Sequence, residues 1–228
     1  MISSAEEDAP SAMDALKHAR IAGVRPKDAA SLILIDRSAE RPRVLMGRRG
    51  SGHVFMPDVY VFPGGRRDAG DHTLPFSADL DPLVSEKLLA GTSARMTSRR
   101  ARALALAALR ELHEETGLAG VAAADLSRLR YVARAITPPG NVRRYDTRFF
   151  LAFSDETLFD MRHLKDSSEL QDVRWLDIAE LYGLKLPRIT QAVLEDVRNL
   201  MATDPSLPFG SPVSFYFMRH GRFVRSRL

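Results

Sequence analysis

The order of apolar and polar residues gives the first outline of the chain. Ala29–Ile35 is almost wholly apolar and predicts a buried strand, ended by a polar turn at Asp36–Pro42. Arg43–Gly47 predicts a second strand, joined to the first as a hairpin across a loop of ordinary length. Val59–Phe62 is a third, short β-rich run. It stops at Pro63-Gly64-Gly65, where a fixed proline φ and two permissive glycines turn the backbone sharply. From Arg66 to Ser98 no clean period holds, and Pro75, Pro82 and Gly91 interrupt the span. Within it only Pro82–Ala90 predicts a helix. The span reads as an insertion, expected to stand as a separate lobe or lid.

Arg99–Thr116 carries the strongest local pattern. It is dense in Ala, Leu, Arg and Glu, has Thr97 or Ser98 as its cap, and meets Gly117 where a helix should end. Leu104, Leu109 and Leu112 supply its packing face. Leu129–Ala135, Thr147–Phe153 and Asp172–Leu176 predict strands. Asp177–Tyr182 predicts a helix with an acidic cap, Thr190–Ala202 an amphipathic helix, and Val213–Met218 a last β-rich run. Met1–Pro10 reads as a disordered tail and Ser11–Ile21 as a short helix. The expected organisation is a tail over residues 1–28 and one domain over 29–228, with the insertion at 66–98. Strands and helices alternate without βα regularity, which predicts an α/β fold with a mixed sheet covered by helices.

Composition narrows the chemistry. The 228 residues include no Cys, so disulfides, thiolate metal sites and cysteine nucleophiles are excluded. Hydrophobic residues at 45% and charged residues at 27% suit a globular chain with a real core. A formal charge of +4 is too small to imply nucleic acid, and it suits phosphate-rich ligands equally well. No apolar run approaches a membrane span, and the acidic start lacks the regions of a signal peptide. The expectation is a cytoplasmic protein with no membrane and no nucleic-acid partner. None of the six His shows metal-ligand spacing.

The long helix carries the candidate chemistry. Offsets of three and four place Glu111 on one helical face with both Glu114 and Glu115. Three converging carboxylates repel one another unless a hard divalent cation joins them, and oxygen ligands suit Mg2+ or Mn2+. Arg110 can pair with Glu114 one turn on. Taken alone, the cluster fits a solvated acidic helix end equally well, although acids there oppose the helix dipole.

The wider pattern favours the site. Val61-Phe62-Pro63-Gly64-Gly65, followed by Arg110-Glu111-Leu112-x-Glu114-Glu115-x-Gly117-Leu118, resembles the box of the Nudix hydrolase family, G-x5-E-x7-R-E-U-x-E-E-x-G-U with U aliphatic. The resemblance runs from about Ala29 to Leu176. It implies an α/β/α sandwich, Mg2+ or Mn2+ held by Glu111, Glu114 and Glu115, and hydrolysis of a small-molecule phosphoanhydride, with Arg110 in the catalytic set. Homodimers also occur in this family. One position departs from the pattern: Arg102 stands where the box has Glu, while Asp71 follows Gly65 at the expected distance. Between Asp71 and Arg110 lie 38 residues, far beyond the box's spacing, so the box is split. This split is similar to the branch containing the animal peroxisomal coenzyme A diphosphatase, and Asp146–Phe150 after Thr137-Pro138 resembles that branch too.

Gly64 and Gly65 at the turn, with Arg48 and Arg148, are the expected substrate contacts, since arginine forks match phosphate oxygens. Arg49, His53, Arg143 and Arg144 share that basic character, but each taken singly reads more readily as a solvated charge. Alternation places Arg148 with Phe150 on one face of a strand and Phe149 on the other. The general base stays open between the box glutamates and a loop carboxylate such as Glu169. Two rival readings are a non-catalytic Nudix-fold ligand sensor, which loss of a box glutamate would favour, and an interaction domain with a solvated acidic helix.

Overall fold

The computed structural model describes residues 24–50, 52, 56–90, 96–118, 123–157, 159–181 and 183–228. Residues 1–23 of the expected tail, with the Ser11–Ile21 helix, lie outside the described residues, as does His53, while Lys27 and Asp28 at the tail's end already belong to the first strand.

A nine-stranded mixed sheet forms the middle layer. Strand β1 (Lys27–Asp36) pairs antiparallel with β2 (Arg43–Arg49), as the hairpin pattern predicts, and parallel with β8 (Tyr145–Phe153). Two short strands stand on either side of Pro63: β3 (Tyr60–Val61) on β2 and β4 (Gly64–Arg66) on β1. Beyond β8 lie β7 (Arg130–Ile136), β10 (Ser214–Arg219) and the edge strand β11 (Arg222–Arg227), while β9 (Leu170–Asp177) pairs with β2. Strands β5 (Phe76–Ala78) and β6 (Ala124–Asp125) make a separate small sheet.

Helices cover both faces. Leu32, Leu34, Leu45, Phe150 and Ala152 pack in one cluster with α1 (Pro82–Ala90) and α2 (Ser98–Thr116). Ile33, Ile35, Met46, Leu151 and Phe153 face the other way, onto Val193, Leu194 and Val197 of α3 (Arg188–Thr203). Successive residues of β1 and β8 therefore enter opposite cores. This is why Ala29–Ile35 reads as continuously apolar rather than alternating. The layers are those of an α/β/α sandwich.

Two expectations fail. Residues 66–90, the described bulk of the insertion, do not stand apart as a lobe: Leu80, Val84 and Leu88 are buried in the same cluster as Leu104 and Leu112 of α2. Their apolar spacing is short, so the sequence shows a weak helix where the molecule has a wall of its core. No helix opens at Asp177 either. That residue ends β9, and its Oδ1 accepts the Ala179 N–H at 2.8 Å, closing a turn. An acid that accepts a backbone N–H two residues on makes a turn as readily as a helix cap.

Candidate active site

Helix α2 begins at its cap, where the Thr97 side chain accepts from Arg100 N, and ends at Gly117 with a φ of 75°. The left-handed conformation and lack of room both require glycine there, since a Cβ would lie 2.5 Å from His163 O. In the last two turns before that end, Glu111, Glu114 and Glu115 face one cleft of about 350 Å³, which Arg66, Arg110 and Glu169 also line. Asp68, Ser167 and Ser168 complete its rim.

The Pro-Gly-Gly turn seats the glutamates. Gly64 N donates to Glu115 Oε2 at 2.8 Å. A Cβ at Gly65 would collide with the Glu111 carboxylate, and one at Gly64 would lie 2.6 Å from Ala30 O. Arg110 binds them from the side. Its Nη1 donates to Glu111 Oε1 at 2.9 Å and Glu114 Oε2 at 2.8 Å. Its Nε donates to Asp71 Oδ1 at 2.8 Å, and its Nη2 to Arg66 O at 3.0 Å. Asp71 is 1% exposed and also accepts the Asp68 N–H at 2.6 Å. It therefore reaches the site across the insertion and anchors Arg110 there. Arg102, at the position where the box has Glu, instead pairs with Asp79.

The opposite wall is the loop before β9. Lys165 N donates to Thr116 O at 2.9 Å, and Ser167 N to Leu170 O at 2.8 Å. Gly50 N donates to Glu169 O at 3.1 Å. These backbone bonds bring Glu169 to the glutamates of α2.

Burial pushes the Glu115 carboxyl up to about 8, opposed by the Gly64 N–H and Arg49 and reinforced by the charges of Glu111 and Glu169. Glu111 is also raised, chiefly by burial against the pull of Arg110. Burial opposes the charge on Arg110, but its bonds to Asp71 and Glu111 outweigh that and hold it well above its ordinary value. Burial lowers Arg49 against the opposing charges of Glu115, Tyr145 and Glu169.

Among the described residues, no group of three or more acids or histidines is spaced to hold a metal ion as it stands. Arg110 Nη1 lies between Glu111 and Glu114 and sets their present spacing. The donor set still fits a hard cation. It consists of carboxylate oxygens, and Glu111 and Glu115 are held against ionisation first by burial and then by the like charges beside them, a repulsion that a cation would relieve.

Arg48 and Arg148 do not join this cleft. Arg48 pairs with Asp58 at 3.1 Å. Arg148 shares a face with Phe150, as alternation requires, but β8 is central and that face is core. The side chain is 2% exposed and pairs with Asp146 at 3.0 Å and Asp28 at 3.5 Å. The basic residue of β2 near the glutamates is Arg49, one position along from Arg48. The irregular β2–β9 register after Met46 hides that from the sequence. Arg66 was also missed, although its place directly after Gly65 was a usable signal.

The family model described as NUDIX domain matches residues 101–196. A Nudix hydrolase from Alicyclobacillus acidocaldarius superposes with a TM-score of 0.57 at 25% identity, covering 76% of this chain and 91% of that one. The NUDIX domain of Shewanella oneidensis NrtR, solved with ADP ribose, gives 0.48 at 15% identity over 83% and 98% of the two chains. A MutT NUDIX hydrolase from Burkholderia pseudomallei gives 0.48 at 17% identity over 76% and 99%. No curated protein matches the chain. The fold is the Nudix fold. Among the described residues no helix is long and apolar enough to cross a membrane.

Proposed function

We propose that this chain is a Nudix hydrolase that cuts the phosphoanhydride bond of a nucleoside diphosphate linked to another group, using Mg2+ or Mn2+ held by Glu111, Glu114 and Glu115. One observation carries the reading: half-buried Glu111 and buried Glu115 crowd against Glu169 in a cleft whose Arg110 is already engaged by Asp71, Glu111 and Glu114. A cation held there would neutralise charge on the diphosphate and lower the pKa of a bound water. The protein supplies the positioning. Gly64 N fixes one oxygen of Glu115, Arg110 orients Glu111 and Glu114, and Asp71 keeps Arg110 in place. Glu169, on the facing wall, takes the proton from the attacking water in this reading. Of the two lining carboxylates from outside α2, Asp68 and Glu169, it is the one whose charge acts on both Glu111 and Glu115.

The test is a panel of diphosphate compounds with Mg2+ and with Mn2+, products identified by mass. Coenzyme A leads the panel because the split box resembles the coenzyme A branch. Glu115→Gln keeps size and loses charge. It should cut turnover by roughly two to four orders of magnitude, about 3–5 kcal/mol of transition-state stabilisation, and abolish the rise in Tm on adding Mg2+. Arg102→Gln, outside the cleft, should do neither. Full activity in Glu115→Gln would sink the mechanism.

A further inference from the structure

A diphosphate entering this cleft meets a wall of acid. Five of its lining residues are carboxylates, Asp68 and Glu169 among them, against two arginines. Cation at the glutamates offsets part of that charge, and the remainder must be met by a side chain able to change partners.

Arg110 cannot change partners. All three of its guanidinium nitrogens donate to Asp71, Glu111, Glu114 or Arg66 O, and its side chain is 19% exposed. Arg66 is placed differently. Its backbone is fixed by pairing with Ala29 and by the bond from Arg110 to its carbonyl. Its side chain is 53% exposed, and Nε at 3.0 Å and Nη2 at 2.7 Å both rest on one oxygen of Asp68. Asp68 is itself 51% exposed, and such surface pairs hold weakly. A phosphate offers the same guanidinium edge two oxygens and more charge.

Resting on the phosphoanhydride reading, we propose that Arg66 is the residue that grips the non-bridging oxygens of the substrate's diphosphate, and that Asp68 is the competitor it leaves to do so. Arg66 follows the glycine that makes room for Glu111, so the grip falls beside the carboxylates assigned to the cation. Asp68 is held in register by the bond from its N–H to Asp71, which also anchors Arg110. The resting pair thus stands at a fixed place on the rim.

The experiment measures binding without turnover, by calorimetry of α,β-methylene ADP with Mg2+ on the full chain. Arg66→Ala should weaken binding roughly ten- to a hundredfold, and Arg66→Lys, which keeps charge but loses the fork, by less. Asp68→Asn should tighten binding about two- to fivefold, because it frees Arg66. In an Arg66→Ala background that gain should vanish. An equal gain in both backgrounds means bulk charge alone is at work and overturns the proposal. So does unchanged binding in Arg66→Ala, or no binding of the analogue to the parent chain. If the binding pattern holds while nothing in the substrate panel is cut, the grip stands and the hydrolase reading fails.

Discussion

Gly65 shows how one missing side chain shapes this site. The Glu111 carboxylate fills the space a Cβ would take, so Gly65→Ala must push Glu111 away from its neighbours. Because this strand position pairs regularly with Ala30, the fold should survive. Turnover should fall about a hundredfold, the scale expected from displacing a catalytic group by roughly 1 Å, while Tm should change little. A variant that keeps its rate would show that Glu111 works from more than one position. Asp71 makes the complementary point. Counting from Gly65 marks it on paper, but only the fold shows that a residue 39 positions before Arg110 lies against it.

At the scale of elements, helix α1 decides whether the insertion is ornament or core. Leu88 is 1% exposed and packs in the cluster that α2 shares with the sheet. Leu88→Ala should therefore cost about 2–5 kcal/mol in urea unfolding, as a core residue does. A loss below about 0.5 kcal/mol would return the segment to the status of a detachable lobe. Strong, long patterns were legible in the sequence: α2 with both caps, β1 with its two buried faces, and the box glutamates on one face. Short ones were not. Strand β4 has three residues, two of them glycine, and it forms because the turn delivers it to β1. Strand β11 has four polar residues of six, and it is fixed by β10 rather than by its own apolar content. Arg148 misled because alternation assigns a residue to a face without saying what covers that face. Here β7 and β10 extend the sheet beyond β8 and keep that strand central.

Across the whole molecule, Asp28 joins elements that the chain keeps far apart. It accepts Arg100 Nε at 2.6 Å, Arg67 Nε at 3.2 Å and Arg148 Nη1 at 3.5 Å, with its own side chain 6% exposed. Burial raises its carboxyl, but the hydrogen bond and charge of Arg100, with Arg148 and Arg67, outweigh that and hold it below the ordinary 3.8. The unfolded chain therefore takes up this proton first as pH falls. The stability Asp28 supplies is fully present above 3.8 and is lost as pH drops through its lower folded value. Unfolding free energy measured against pH should fall through that acid window. Asp28→Asn should be less stable at neutral pH and show a flatter acid limb. An unchanged slope would remove Asp28 from the acid response.

The bond from Lys165 N to Thr116 O gives the cleft its working geometry. Thr116 is the neighbour of Glu115, and Lys165 opens the loop that presents Glu169. The two jaws thus meet at a peptide contact just beside the teeth, like calipers pinned close to the tips, and the bond from Gly50 N to Glu169 O holds the far jaw from behind. A displacement of the loop that spares this pin acts on a short lever, so the gap between Glu115 and Glu169 can change only slightly. A displacement that breaks it frees the segment that closes the end of α2 and leaves Glu169 held by Gly50 N alone. The gauge of the cleft is then a property of the joint.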